Sequence, residues 1–170
     1  SVSPAPPDLP WVRRRQRQLC IRDRSNVPPA QIAPERDERI KRLAGKIDRV
    51  LIDAPCSGLG TLRRNPDLKW RQSPKRVAEL QATQGAILAS ASRLLKPCGR
   101  LVYATCSILP QENEDVIAAF LAAHEDFLPI SAAHVMQQQQ IPLDTGEALR
   151  LTPFDHDTDA FYAVVLERSK

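Results

Sequence analysis

Two short apolar runs, each followed by a cysteine, constrain the fold of this chain more than any other feature. The first run, Val50 to Ile52, leads into Asp53-Ala54-Pro55-Cys56-Ser57-Gly58, and the second, Leu101 to Ala104, leads into Thr105-Cys106-Ser107. Apolar runs of this length, bounded by small polar residues, indicate buried strands. Because chemistry in open α/β sheets collects just past the carboxyl ends of such strands, we expect two thiols and a carboxylate to meet in one crevice.

The segment between the two runs carries the signals of a long helix. Ser73 and Pro74 make a good helix start, with serine as the N-cap and proline at the first helical position. The helix is predicted to run to about Leu95, with one apolar face formed by Val77, Leu80, Ile87, Leu88, Ala91, Leu94 and Leu95. A strand, a helix and a second strand in this order predict a parallel β–α–β unit.

Weaker patterns predict the remaining elements and complete the fold class. They are a short edge strand over Asn26–Ile32, a charged helix over Glu35–Ala44, a strand over Ile47–Ile52, a turn over Lys96–Gly99, a helix over Gln111–Ala123, a low-complexity loop over Gln137–Gln140, and strands over Leu149–Leu151 and Phe161–Leu166. We therefore predict an α/β protein, in which a parallel sheet with an antiparallel edge forms a three-layer sandwich that lacks the N-terminal half of its sheet.

Composition places the chain among globular proteins without a membrane span. Its 170 residues, 42% of them apolar, allow one domain with its own core. No apolar stretch approaches the ~18–20 residues that cross a membrane, and the N-terminus lacks the apolar region of a secretory signal. We expect a cytoplasmic monomer with reduced cysteines, so that catalytic use of a thiol is favoured over disulfides. The histidines, His124, His134 and His156, show no metal-ligand spacing, and no metal is expected.

The charge of the chain is unevenly distributed. Residues 1–49 hold 12 Lys and Arg against 6 Asp and Glu, whereas residues 50–170 hold 12 against 14. Within the second part, one basic segment over residues 63–76 contains a single acid, Asp67, and one aromatic residue, Trp70. Its cations are Arg63, Arg64, Lys69, Arg71, Lys75 and Arg76. A local basic patch of this kind favours a polyanionic partner such as RNA.

The first 24 residues differ from the rest of the chain. They contain four prolines and a basic run over residues 13–17, without a sustained apolar period. This composition predicts a disordered tail, with the domain itself over residues 25–170. The tail could be a basic RNA-binding arm, but a solvated tail or a sequence foreign to the domain is favoured.

The two thiols at the strand ends are the candidates for chemistry. Pro55 restricts the backbone between Asp53 and Cys56, so both side chains are held in place. A thiol reacts as its thiolate, which positive charge or a helix N-terminus stabilises, and Cys106 lies just before the helix predicted near Gln111. A lone cysteine would be read as a small buried hydrophobe, but two in matching motifs favour catalysis. Cys20 and Cys98 lack this context, Cys98 being read as part of a turn.

At this point the ordered set of motifs resembles a family. The chain is similar to the Sun/Nop-type RNA (cytosine-C5) methyltransferases, which use S-adenosylmethionine on a Rossmann-like fold. The similarity covers about residues 43–166 and rests on the motifs Asp53–Gly58, Arg63–Trp70, Leu95–Ser107, Glu112–Glu114 and Thr158–Tyr162. It implies an enzyme that methylates RNA, with ribosomal RNA as the expected substrate.

The resemblance also implies roles for individual residues. Cys106 matches the nucleophile that attacks C6 of cytosine, and Cys56 matches the second cysteine, which helps to resolve the covalent adduct. Asp53 matches the acid that contacts the methionine part of the cofactor and the cytosine edge. RNA contacts are expected from Arg63, Arg64, Asn65, Lys69 and Trp70. Two alternatives stay open: Asn65 opens a structural turn, and Trp70 is a core residue rather than a stacking platform.

The chain departs from the family pattern at the cofactor site. The glycine-rich loop expected upstream of residue 25 is absent, and Cys98 and Ala160 stand where the family usually has glycine. We therefore expect a partial methyltransferase domain whose binding of S-adenosylmethionine is impaired. The alternative of a different class is a catalytically inactive RNA-binding module. A thiol oxidoreductase is a weaker alternative, because no Cys-x-x-Cys is present.

Overall fold

The computed structural model describes residues 42–169 as a mixed α/β fold. Its strands are β1 (Ile47–Asp53), β2 (Leu95–Thr105), β3 (Phe127–Ile130), β4 (Leu149–Leu151) and β5 (Phe161–Arg168). Its helices are α1 (Leu68–Arg71), α2 (Pro74–Ser92), α3 (Glu114–Ala123), α4 (Ala132–Gln138) and α5 (Pro153–His156), with short 3₁₀ helices over Leu59–Thr61 and Pro110–Glu112.

All five strands form one sheet, with the order β1-β2-β5-β3 and with β4 also paired to β5. Strands β1 and β2 are parallel and are joined through helix α2, whereas β5 runs antiparallel to β2, β3 and β4. The predicted combination of a parallel pair with antiparallel strands is therefore confirmed. Because β1 and β2 run side by side in the same direction, their carboxyl ends open on the same edge of the sheet.

Helix α2 forms as its sequence predicts and covers one face of the sheet. The Ser73 hydroxyl accepts a hydrogen bond from the Arg76 N–H, and Pro74 occupies the first turn. The buried face of α2 joins α3 and the strands in one core that includes Ile87, Leu88, Leu101, Tyr103, Val116 and Phe120. On alternate positions of β1, Leu51 points away from this core and is 72% exposed.

Several element boundaries differ from those predicted. Residues 96–99 lie within β2, where the β1–β2 register is irregular and where Cys98 takes a left-handed conformation with φ of 59°. Helix α2 ends at Ser92 rather than near Leu95, and the helix predicted from Gln111 starts at Glu114, after the 3₁₀ turn. The predicted loop over residues 137–140 begins inside α4, which continues to Gln138.

Strand β3 and helices α1, α4 and α5 carry no strong sequence signal and were not predicted. Strand β3 is four residues long and contains Pro129, which a sheet tolerates at an edge strand such as this one. Residues 42–44, at the end of the predicted helix Glu35–Ala44, form a turn. The predicted tail over residues 1–24, its Cys20, the strand over Asn26–Ile32 and the rest of that helix lie outside the described residues.

Candidate active site

The two strand-end cysteines meet as the sequence predicts. Asp53, the last residue of β1, pairs with Ala104 of β2, so the two chains leave the sheet side by side. The Sγ atoms of Cys56 and Cys106 lie 3.4 Å apart, within hydrogen-bonding distance for two sulfurs, and both residues are partly buried. The crevice therefore holds a contacting pair of free thiols.

The two thiols of this pair are electrostatically unequal. The hydrogen bond with Cys56 is the main cause that lowers the pKa of Cys106 to about 7, although burial opposes the shift. The same hydrogen bond, followed by burial, raises the pKa of Cys56 well above that of an ordinary thiol. Cys56 therefore acts as the protonated donor, and Cys106 is the thiol that ionises near neutral pH.

The cysteines sit in two loops of the same local design, here called the twin loops: Cys56–Leu59 and Cys106–Leu109. In each loop a serine follows the cysteine, and its hydroxyl oxygen accepts a hydrogen bond from the backbone N–H two residues on, at 3.4 Å in the first loop and 3.1 Å in the second. The oxygens of Ser57 and Ser107 are 3.3 Å apart. The repetition gives the serine after each cysteine the same hydrogen bonds, whereas the next residue differs: Gly58 is left-handed, with φ of 73°, and Ile108 is not.

A fully buried carboxylate joins the twin loops. Both serine hydroxyls donate to Oε2 of Glu112, each at 2.5 Å. Oε1 of Glu112 accepts from the backbone N–H of Ser57 at 2.8 Å and from Nε2 of Gln84 at 3.1 Å. Each carboxylate oxygen thus accepts two hydrogen bonds, so the Glu112 side chain is used as an acceptor only.

Buried polar contacts fix the position of Glu112 itself. The backbone carbonyl of Glu112 accepts a hydrogen bond from the hydroxyl of Tyr103 at 2.7 Å. The side-chain amide of the next residue, Asn113, accepts from Thr105 and donates to the carbonyl of Ser107. The 3₁₀ turn that carries Glu112 is therefore tied to the end of β2 from two sides.

Gly60, the residue that follows the first twin loop, braces the second loop. The N–H of Gly60 donates to the carbonyl of Cys106 at 2.9 Å, and the carbonyl of Gly60 accepts from the N–H of Ala160 at 3.0 Å. A Cβ atom at this position would stand 2.6 Å from the carbonyl oxygens of both partners. Only glycine allows these three backbone segments to approach so closely.

Asp53, the carboxylate predicted at the crevice, is present but forms no hydrogen bond with either thiol. Asp53 is exposed at the end of β1. Its negative charge is near enough to oppose ionisation of Cys106 and so raises the pKa of that thiol slightly. Asp53 is therefore free to contact a ligand that enters the crevice.

The basic segment is more neutral than its sequence indicates. Arg63 pairs with Asp157 at 2.8 Å, and Arg64 pairs with Asp159. These two acids lie more than 90 positions away in the chain, so a local count of charges does not include them. Arg71 pairs with Asp67, the acid within the segment.

Trp70 and Asn65 resolve two alternatives that the sequence left open. The Trp70 side chain is 79% exposed, so its interpretation as a core residue is wrong. The ammonium of Lys69 lies 4.8 Å from the centre of the Trp70 ring. The carbonyl of Asn65 accepts a hydrogen bond from the N–H of Leu68 at 3.2 Å, so the turn predicted to open at Asn65 is confirmed.

The described residues supply only part of a nucleotide-cofactor site. Two glycines follow β1, the position where a phosphate-binding or cofactor-binding loop would start. However, a Cβ on Gly58 would meet the Leu68 side chain at 3.2 Å, and Gly60 is filled by backbone. These glycines serve contacts within the chain, so among residues 42–169 Asp53 is the one cofactor candidate that the sequence predicted.

The residues that organise the crevice were missed by sequence reasoning. Ser57, Ser107 and Gln84 were given no role, and Glu112 was noted only as part of a motif. The repeated Cys-Ser dipeptide was the available signal for the serines. No local pattern indicates that Gln84, in the middle of α2, donates both to Glu112 and to the carbonyl of Pro55.

A family model described as 16S rRNA methyltransferase RsmB/F matches residues 14–167 of the chain. The chain belongs to this family. The resemblance to Sun/Nop-type methyltransferases is thereby confirmed. The match begins within the segment predicted to be a basic tail, outside the described residues.

Relatives with known names and structures agree with this family membership. The ribosomal RNA small subunit methyltransferase B of Shewanella oneidensis is 45% identical over 117 residues, which are 69% of this chain and 26% of that protein. A methyltransferase homolog protein from Pyrococcus horikoshii shares 30% identity with a TM-score of 0.59, over 76% of this chain and 42% of its own. The structure of NSun6 from Pyrococcus horikoshii with SFG shares 26% identity with a TM-score of 0.57, over 71% and 29% of the two chains.

These comparisons confirm the Rossmann-like methyltransferase fold class. The chain spans between 19% and 28% of the length of the curated relatives that it matches. In the part of the chain that the structure describes, no helix is long and apolar enough to cross a membrane. Within that same part, no cluster of three or more His, Cys, Asp or Glu side chains is arranged to hold a metal ion.

Proposed function

We propose that this chain forms the nucleophile-bearing part of an S-adenosylmethionine-dependent ribosomal RNA (cytosine-C5) methyltransferase that acts through a covalent adduct. The observation that carries the proposal is the contacting pair of unequal thiols at the ends of two parallel strands, Cys56 and Cys106. A thiol that ionises near neutral pH beside a protonated partner suits a nucleophile and its helper.

The chemistry follows from the weak nucleophilicity of cytosine C5. The Cys106 thiolate adds to C6 of the ring, which makes C5 an enamine-like carbon able to accept a methyl group. When bound, S-adenosylmethionine supplies that methyl group. Loss of the C5 proton to a base then restores the ring double bond and expels the thiolate from C6. Cys56, 3.4 Å from the Cys106 sulfur, is placed to assist this release.

We assign Asp53 to the junction between cofactor and base, since its exposed carboxylate stands at the mouth of the crevice. The RNA contact is proposed for Lys69 and Trp70 first, because both are exposed and their charge and ring are available to phosphate and base. Arg63, Arg64 and Asn65 are proposed as flanking contacts. A base inside a stem would have to leave its stack before it reaches the thiol.

Methylation by a chimaera tests the proposal. The segment of the Shewanella oneidensis relative that this chain matches is replaced by the corresponding residues of this chain, so that a complete protein is assayed. We expect transfer of labelled methyl groups to cytosine C5 of small-subunit ribosomal RNA. The matched control is the same chimaera with Cys106→Ser. A folded chimaera that methylates no cytosine, or whose activity survives Cys106→Ser, would contradict the proposal.

A second candidate function is RNA binding without catalysis by the chain alone. It is favoured by Gly58 and Gly60, whose surroundings are filled by the chain's own atoms rather than open to a cofactor. We expect calorimetric titration of the purified chain with S-adenosylmethionine to give little or no heat of binding. A micromolar dissociation constant would mean that the described residues, with Asp53, already form the essential part of the pocket.

A further inference from the structure

The most unusual buried group of the molecule is the Glu112 carboxylate. It is fully buried and carries four hydrogen bonds, three from the twin loops and one from helix α2. Burial of a carboxylate is costly unless every acceptor position is filled. An apolar side chain would stabilise a core at this position more simply, so a function that needs a carboxylate is indicated.

The geometry of these bonds indicates what the carboxylate does. Ser57 and Ser107 are the residues that directly follow the two reactive cysteines, and both donate to the same oxygen, Oε2. A shared acceptor fixes the distance between two donors. Since each serine is joined to its cysteine by one peptide bond, fixing the serines restricts where the two Sγ atoms can lie.

We propose, on the basis of the function assigned above, that Glu112 is a positioning residue. Through Ser57 and Ser107 it holds the Cys56 and Cys106 thiols in hydrogen-bonding contact. Glu112 forms no hydrogen bond with either sulfur and is not itself a catalytic residue. Its effect on the reaction is to keep the donor thiol against the nucleophile, because the 3.4 Å contact between the sulfurs depends on the spacing of the twin loops.

The charge and the position of Glu112 act in opposite directions on Cys106, which makes the proposal testable. The groups that act on the Cys106 thiol are Cys56, Asp53 and Glu112. The negative charge of Glu112 raises the pKa of Cys106, whereas the contact with Cys56 lowers it. If Glu112 acted only as a charge, its neutralisation would make Cys106 ionise at lower pH. If Glu112 positions the thiols, its replacement makes Cys106 ionise at higher pH.

The experiment measures the alkylation of Cys106 by iodoacetamide as a function of pH. The full chain is used with Cys20→Ser and Cys98→Ser, and mass spectrometry of the peptides separates Cys106 from Cys56. In this background we expect an inflection near pH 7 for Cys106. Glu112→Gln keeps the size of the side chain but places an amide donor among donors. We expect the inflection to rise by about one pH unit or more, towards that of an isolated thiol.

The matched control is Glu114→Gln, which removes a charge two residues away, where Glu114 pairs with Arg150 on the surface. We expect this variant to leave the inflection unchanged. Cys56→Ala, which removes the donor thiol itself, gives the upper limit of the rise. An unchanged or lowered inflection in folded Glu112→Gln, as judged by circular dichroism, would overturn the proposal.

A second pair of variants keeps the test decisive if Glu112→Gln does not fold. Ser57→Ala and Ser107→Ala each remove one hydroxyl donor to Glu112 and leave the carboxylate in place. We expect each to raise the inflection by about half a pH unit, which is a loss of thiolate of about threefold below the inflection. An unchanged inflection in both would refute the positioning role. Because no methylation is measured, failure of the proposed function would leave this result unaffected.

Discussion

The twin loops share a Cys-Ser pattern and its hydrogen bonds, but the pKa values of their cysteines shift in opposite directions. Each follows a parallel strand, and each places a cysteine before a serine that donates to Glu112 and accepts from the N–H two residues on. Yet the pKa of Cys56 is raised and that of Cys106 is lowered. The shared serine hydrogen bonds therefore do not decide which thiol ionises more easily. The decision lies in which sulfur donates and which accepts, together with how deeply each is buried.

The largest effect should come from removing one thiol at a time in the chimaera described above. Cys106→Ala should abolish methylation and any covalent RNA adduct, because no nucleophile remains to open the C5=C6 bond. Cys56→Ala should allow attack and methyl transfer but slow the release of the product. We expect a protein–RNA band that survives denaturing electrophoresis with Cys56→Ala and is absent with Cys106→Ala.

Two other outcomes of that gel would change the comparison. Equal behaviour of the two variants would mean that the contact between the thiols serves only the structure. A band with Cys106→Ala and none with Cys56→Ala would mean that the nucleophile and the helper have been exchanged. In that case Cys56 would be the nucleophile although its pKa is raised, which disfavours its thiolate.

A second prediction concerns a substitution that disturbs the backbone contact between Gly60 and Cys106 without changing either thiol. Gly60→Ala would place a Cβ 2.6 Å from the carbonyl oxygens of Cys106 and Ala160. The backbone must move, so we expect the free energy of unfolding to fall by about 1–3 kcal/mol. Denaturant titration measures it. Gly85→Ala is the matched control, since Gly85 lies inside α2 with no atom within 4 Å of its Cβ position.

For the control, Gly85→Ala, the free energy of unfolding is expected to rise rather than fall. Alanine is favoured over glycine within a helix by up to about 1 kcal/mol, so Gly85→Ala should stabilise the chain. A Gly60→Ala variant that is as stable as its parent would show that the loops can separate freely. The twin loops would then not be held by the backbone contacts seen here.

How much of this site could be predicted from the sequence depended on how far apart the interacting residues lie along the chain. Cys56 and Cys106 were predicted to meet because each ends a local apolar run, and parallel strands bring such ends together. Glu112 could not be placed, since its partners Ser57 and Gln84 are 55 and 28 positions away. The same limit hid the ion pair of Arg64 with Asp159.

The fold shows the same division between local and distant information. Helix α2 was predicted closely because its N-cap, its first-turn proline and its apolar face all lie within one segment. Strand β3 was missed because four residues with a proline give no period of their own. It forms because β5 offers it a free edge for pairing, and that edge exists only after the sheet has assembled.

A third prediction concerns RNA affinity, which should separate paired from unpaired cations of the basic segment. Lys69→Glu or Trp70→Ala should weaken RNA binding about tenfold, because one removes a phosphate contact and the other a stacking ring. Arg63→Glu should have a smaller effect, since Asp157 already offsets the charge of Arg63. Fluorescence anisotropy measures the RNA affinity of each variant over a range of salt concentrations. The affinity of the parent chain should fall steeply as salt increases.

Charge reversal over residues 13–17 is the comparison that could overturn this assignment. If it weakens binding more than Lys69→Glu does, the N-terminal segment is the main RNA contact and the basic segment is secondary. If Arg63→Glu weakens RNA binding as much as Lys69→Glu does, the ion pair between Arg63 and Asp157 opens at no cost in free energy when RNA binds. The order of effects would then follow charge alone.

The smallest effect is expected at a cysteine outside the twin loops. Cys98 has φ of 59°, a left-handed conformation that costs residues with a Cβ about 1 kcal/mol, and it is exposed. Cys98→Gly should therefore stabilise the chain by up to about 1 kcal/mol, partly offset by the greater freedom of glycine in the unfolded state. Denaturant titration against Cys98→Ala, which keeps the Cβ, isolates the conformational part of the change in stability.

Alkylation of Cys106 should keep its pH inflection in both Cys98 variants, because Cys98 is not among the groups that act on that thiol. A shift would mean that the irregular stretch of β2 influences the crevice along the strand, so that the positions of the twin loops could no longer be attributed to their own contacts alone.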